Sequence, residues 1–195
     1  MQSRYDSSSL EAFCSEILQM AGVHPSDALC VANNLVSANL RGIDSHGVIR
    51  MPAYVDAFLK GQIAAKTEPA IIAETPSTAL VDAQNGWGAP ASKFAMSIAI
   101  QKAKQTGMAG VGVRRSNHFG FAAYYGMMAL EHDMIGCAFT NAKKNMVPTG
   151  STEPYFGTNP ICVCIPAGRE RPLVFDGATT VVAQGKIQVA NKKHA

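Results

Sequence analysis

Apolar positions in the first sixty residues recur every three to four places. Leu10, Phe13, Cys14, Ile17 and Leu18 recur at helical spacing after Ser8, which with Glu11 forms a serine–glutamate spacing that predicts a capped helix stopped by Gly22. A second helix is expected from Pro25 and Ser26, through Val31, Leu35, Val36 and Leu40, to Gly42. A third falls within residues 46–60 and stops at Gly61, with Pro52 either in its first turn or at a bend. From about residue 68 the pattern changes to strands alternating with helices. Strands are expected at 78–83, 111–114, 135–140, 160–165, 173–176 and 185–190, with helices at 90–105, closed by Gly107, and at 121–132. This grammar predicts an α/β fold: a helical N-terminal region, residues 1–66, then residues 67–195 as a mixed or mostly parallel sheet with flanking helices.

Composition narrows the class. Of 195 residues, 47% are hydrophobic and 16% charged, well under the roughly 25% charged of an ordinary soluble domain. Such a chain is not disordered, and the low charge suits extensive internal or interface surface. A net charge of +3 without basic blocks argues against nucleic acid, and no apolar run is long enough for a membrane helix. Five cysteines without C-x-x-C spacing, and no signal-like N-terminus, fit reduced thiols in a cytoplasm. Cys162 and Cys164 alternate within residues 161–165, which places both on one strand face as core residues. The five histidines lack metal-ligand spacing.

The densest chemistry lies at residues 41–54. On a helix, His46, Arg50 and Tyr54 would stack at i, i+4 and i+8. An imidazole exchanges protons near neutrality and a guanidinium grips a carboxylate, the pair that handling a 2-hydroxy or 2-oxo acid requires. The same spacing also suits a plain helix start, capped by Asp44 or Ser45, with His46 and Arg50 in solvent. Residues 114–120, with His118, form a polar loop between a strand and a helix, and residues 155–160 read as turn chemistry. Gly86-Trp-Gly88-Ala-Pro-Ala91 imitates a dinucleotide fingerprint. However, no acidic residue stands between Asp82 and Glu131 to take a ribose, and Arg114 and Arg115 would at best suit a 2′-phosphate.

In register, Asp44-Ser-His-Gly-Val-x-Arg50-x-Pro52-x-Tyr54, Ser116-Asn-His-Phe-Gly120, Gly157-Thr-Asn-Pro160 and Phe175-Asp-x-Ala-Thr179 resemble the malate/L-lactate dehydrogenase family, a non-Rossmann group. The resemblance runs from about residue 8 to residue 190. It implies an oxidoreductase using NAD or NADP on a small 2-hydroxy/2-oxo carboxylate, working as a homodimer. Carried over position by position, it implies Ser45 and His46 as relay and proton donor, with His118 the named catalytic histidine in some members. It implies Arg50, Tyr54 and Thr158 on the substrate. It implies His118, Phe119, Gly120, Phe121 and Ala122, then Asp176, Gly177 and Ala178, on the cofactor. Family chains continue past this point, so the resemblance also implies a chain lacking the later segments, whose last strand, at 185–190, has nothing following to cover it. The competing expectation is an inactive truncated paralogue serving as a dimerisation or binding module.

Overall fold

A computed structural model describes residues 4–180 and residue 186; most of the strand expected at 185–190 lies outside the described residues. The chain divides after Gly120 into two compact units.

In the first unit, helix α1 (Ser7–Met20) begins two residues earlier than the serine–glutamate spacing suggests. Asp6 is its cap and accepts the Ser9 N–H at 2.8 Å, which puts Ser8 inside the first turn. Glu11, freed from capping, accepts a hydrogen bond from Asn33 Nδ2 at 2.9 Å and ties α1 to α2 (Pro25–Leu40). Cys14 and Leu18 pack with Val31 and Leu35 in one buried cluster, which also takes in Tyr54, Phe58 and Trp87. Helix α3 (Met51–Leu59) carries Pro52 in its first turn, where the missing N–H costs nothing, so no bend results. The stretch before it is not the continuous helix that the spacing of His46, Arg50 and Tyr54 assumed. Two short 3-10 turns, Asp44–His46 and Val48–Arg50, meet at an extended Gly47.

Strand β1 (Ala70–Glu74) pairs antiparallel with β2 (Thr78–Asp82), and β2 pairs parallel with β3 (Gly110–Arg114) across helix α4 (Gly88–Thr106). β1 escapes the pattern because it is an exposed edge strand without apolar alternation; the Thr75 and Thr78 hydroxyls, 2.7 Å apart, close its hairpin. Gly107, left-handed at φ +82°, ends α4 as expected.

In the second unit the helix expected at 121–132 splits into a short α5 (Ala123–Gly126) and a 3-10 segment, Met127–His132. Gly126 in its interior weakens the α-helix by about 1 kcal/mol relative to alanine. Strands β4 (Gly136–Phe139), β5 (Ile161–Ile165) and β6 (Leu173–Gly177) form an antiparallel sheet. The fold is therefore α/β with two three-stranded sheets, one mixed and one antiparallel, rather than one continuous sheet. Cys162 and Cys164 face the core side of β5 and are fully buried, as their alternation predicted. Among the described residues no helix is long and apolar enough to cross a membrane.

Candidate active site

The first unit brings together five of the residues singled out in the sequence. The C-terminal end of α2 organises the loop that carries two of them. Asn39 Nδ2 donates to Asp44 Oδ1 at 2.6 Å, and Asn39 Oδ1 accepts the Val48 N–H at 2.9 Å. One amide thereby spans the Ser45–His46 turn from both sides. Within that turn, Ser45 Oγ lies 2.9 Å from His46 Nδ1. Arg50 Nε donates to the Ser45 carbonyl at 2.9 Å, which fixes the guanidinium beside the turn.

His118 arrives from the loop after β3. Its ring stacks on that of His46 with centroids 5.8 Å apart and planes 19° off parallel. Its Nδ1 lies 2.6 Å from the Tyr54 hydroxyl and 3.3 Å from the Gly120 backbone N–H. Tyr54 is only 9% exposed, so the residue expected on substrate directs its hydroxyl into the protein. Trp87 meets the Tyr54 ring edge-on at 6.0 Å and stacks on Phe58 at 5.6 Å, which makes an apolar wall behind the phenol. Gly120 is left-handed (φ +82°), and a β-carbon there would run into the buried Asn34 amide.

The electrostatics favour neutral imidazoles. Burial, then the nearby Arg50 charge, lowers the His46 pKa to about 4. The protein crowded around the His118 ring, then Arg50 and His46, holds its pKa well below the ordinary 6.5. His118 as a residue nevertheless remains exposed, so solvent takes back part of that effect and only the direction matters: uncharged at pH 7. Burial pushes the Tyr54 phenol far up, and it stays a donor at any working pH.

The fingerprint imitation serves as packing. Gly88 abuts the backbone carbonyls of Asn117 and His118, and Asn117 Nδ2 donates to the carbonyls of Asn85 (2.8 Å) and Gly86 (3.0 Å). The loop at 85–88 is thus the floor under His118. Arg114 and Arg115 both close on the buried Asp82: Arg114 Nη2 reaches Oδ2 at 2.8 Å and Arg115 Nε reaches Oδ1 at 2.8 Å. Hydrogen bonds from Arg115, then from the Gln84 backbone and Arg114, hold that carboxyl far below its usual range. Asn39 and Asn34 escaped the sequence reading, and the packing roles of Asn117 and Gly88 were not legible in their motifs, since nothing in an asparagine or glycine announces which distant backbone it will meet.

Phe119 and Gly120 close the first unit, and the second unit holds the remaining candidates. Phe121 and Ala122 are buried in it. The Thr158 carbonyl accepts the Thr179 N–H at 3.0 Å, which joins the turn at 157–160 to the loop after β6. In β6, Asp176 Oδ2 accepts the Ala123 N–H at 2.7 Å; Gly177 and Ala178 follow directly. Among the described residues no group of histidine, cysteine and acidic side chains could hold a metal ion.

The sequence model of the malate/L-lactate dehydrogenase family matches residues 5–195. The chain belongs to that family. It is 45% identical over 184 residues to a malate dehydrogenase of Pyrococcus abyssi, an alignment covering 94% of this chain and 51% of the relative. Identity to the L-sulfolactate dehydrogenase of Methanocaldococcus jannaschii is 40% over 178 residues, or 91% of this chain and 52% of the relative. The solved malate dehydrogenase of Pyrococcus horikoshii superposes with a TM-score of 0.92 at 42% identity, over 95% of this chain and 53% of that one. The chain therefore spans about half the length of the family members it matches. These relatives are dehydrogenases named for hydroxy acids, and a dehydrogenase implies a nicotinamide cofactor.

Proposed function

We propose that the protein is a nicotinamide-dependent oxidoreductase that interconverts a small 2-hydroxy carboxylate and its 2-oxo form, as a cytoplasmic homodimer. The observation that carries this reading is the cluster in the first unit: two neutral, hydrogen-bonded imidazoles beside one guanidinium. Family membership and five free thiols support it.

The residues present suit a nicotinamide cofactor in kind. Asp176 brings a carboxylate, the group that accepts a ribose hydroxyl, and Gly177 beside it has no side chain. His118–Ala122 and Asp176–Ala178 are the segments that would hold it. When bound, the nicotinamide accepts or returns the hydride at carbon 2 of the substrate. Arg50 binds the substrate carboxylate through guanidinium donors other than Nε, which is committed to Ser45. His46, uncharged at neutral pH, accepts the hydroxyl proton during oxidation and returns it during reduction. Ser45, on Nδ1, holds the ring and relays that proton. Thr158 completes the substrate contacts in this reading. The Arg114–Asp82–Arg115 arrangement favours neither NAD nor NADP by itself, because both guanidinia already serve a carboxylate.

The test is turnover of the full gene product on malate, lactate, sulfolactate and ureidoglycolate with each nicotinamide, beside His46→Ala. The variant should lose about 10²–10⁴-fold in kcat while still quenching or enhancing nicotinamide fluorescence as the parent does. No turnover on any substrate, with a native-mass dimer that fails to bind either nicotinamide, would replace this reading with a dimerisation or binding module.

A further inference from the structure

We propose that Tyr54 is a positioning residue that fixes His118 as its Nε2–H tautomer, so that His118 serves as a neutral hydrogen-bond donor to the oxygen on carbon 2 of the substrate. The assignment of the proton follows from one bond. A backbone N–H can only donate, and that of Gly120 is directed at His118 Nδ1 at 3.3 Å. Nδ1 therefore presents its lone pair, the Tyr54 hydroxyl at 2.6 Å must be the second donor, and the ring proton is on Nε2.

The surroundings hold this state. Tyr54 projects from α3 into the core and packs edge-on against Trp87, which holds its ring in place. Gly88 fixes the His118 backbone from below, and Asn34 fills the space beside Gly120. An imidazolium would turn an N–H toward two donors and lie beside Arg50, which repels it. A side chain whose Nδ1 is closed by two donors, on a residue that stays exposed, is built to offer its other edge. A neutral imidazole N–H polarises a carbonyl without becoming a proton source, which leaves proton transfer to His46.

This role deepens the oxidoreductase reading and rests on it for its kinetic part only. In the 15N-labelled protein, two-bond 1H–15N correlation spectra should show His118 with a bare Nδ1 and a protonated Nε2 throughout pH 6–8, with no ligand added. An Nδ1–H tautomer or an imidazolium at pH 7 would overturn the proposal without any variant. In Tyr54→Phe, the two nitrogen shifts should move toward each other as the second tautomer enters. Losing one such hydrogen bond should also lower kcat about three- to tenfold with the KM for nicotinamide unchanged. Unmoved nitrogen shifts in that variant, or an unchanged kcat, would defeat the role assigned to Tyr54. Absence of oxidoreductase activity in the parent protein would instead defeat the functional reading and leave the tautomer result standing.

Discussion

Gly88 packs so closely on the His118 carbonyl that a β-carbon there would run into it, as it would into the Asn117 carbonyl. The contact couples the start of α4 to His118, the proposed hydrogen-bond donor to the substrate. Gly88→Ala should therefore act on both stability and activity. Forcing a methyl group into a packed site costs about 1–3 kcal/mol, visible as a lower Tm, and the displaced His118 should reduce kcat. An alanine variant with parental Tm and kcat would mean that the loop at 85–88 yields freely.

Asn39 makes a comparable connection to His46. Asn39→Ala removes both hydrogen bonds that span the loop at 44–48, one exposed and one partly buried, at about 0.5–1.5 kcal/mol each. Asn39→Asp is more informative because it sets a carboxylate against that of Asp44. Its stability deficit should exceed that of the alanine variant at pH 7 and shrink as the pH drops below about 4, where carboxylates protonate. Equal melting curves for the two variants across that range would show that Asp44 does not bear on residue 39.

Much of this was legible beforehand. Gly22, Gly42, Gly61 and Gly107 mark helix ends because a left-handed residue is needed there, and each indeed has positive φ. The grouping of Ser45, His46, Arg50 and His118 was readable only through motif order. Helical spacing put His46, Arg50 and Tyr54 on one face, whereas the site is made by two 3-10 turns and a loop sixty-four residues away from Tyr54. Periodicity reports local backbone and is blind to an asparagine that reaches across nine residues to reshape it. The misleading glycines at 86 and 88 show the same limit from the other side: close packing and phosphate binding select the same residue.

His46 also makes stability depend on pH. Its folded-state pKa is about 4, against about 6.5 when unfolded. Between those values the unfolded chain binds a proton that the folded chain refuses, so stability falls as the pH drops from 6.5 toward 4 and levels off below. The whole effect is on the order of 3 kcal/mol, and His118 pulls in the same direction. Chemical denaturation at pH 7, 5.5 and 4.5 should show this decline, and His46→Gln should flatten it. A His46→Gln variant with the parental slope would place the proton uptake elsewhere.

The thiols offer a check on the second unit that is independent of catalysis. Cys162 and Cys164 point to the same side of β5, their sulfurs 3.6 Å apart and fully buried. Burial, then the Cys164 contact, pushes the Cys162 thiol far up, so almost none of it is the reactive thiolate at pH 8. Burial raises Cys14 and Cys30 as well. Cys137 alone among the five is exposed. A disulfide-exchange reagent at pH 8 should accordingly titrate one thiol quickly, modify Cys30 slowly, and reach Cys14, Cys162 and Cys164 only when denaturant opens the core. Cys137→Ser should abolish the fast phase. If the fast phase survives that substitution and disappears instead in Cys162→Ser, the two β5 thiols are reachable in the native state, and their place is a redox pair rather than core packing.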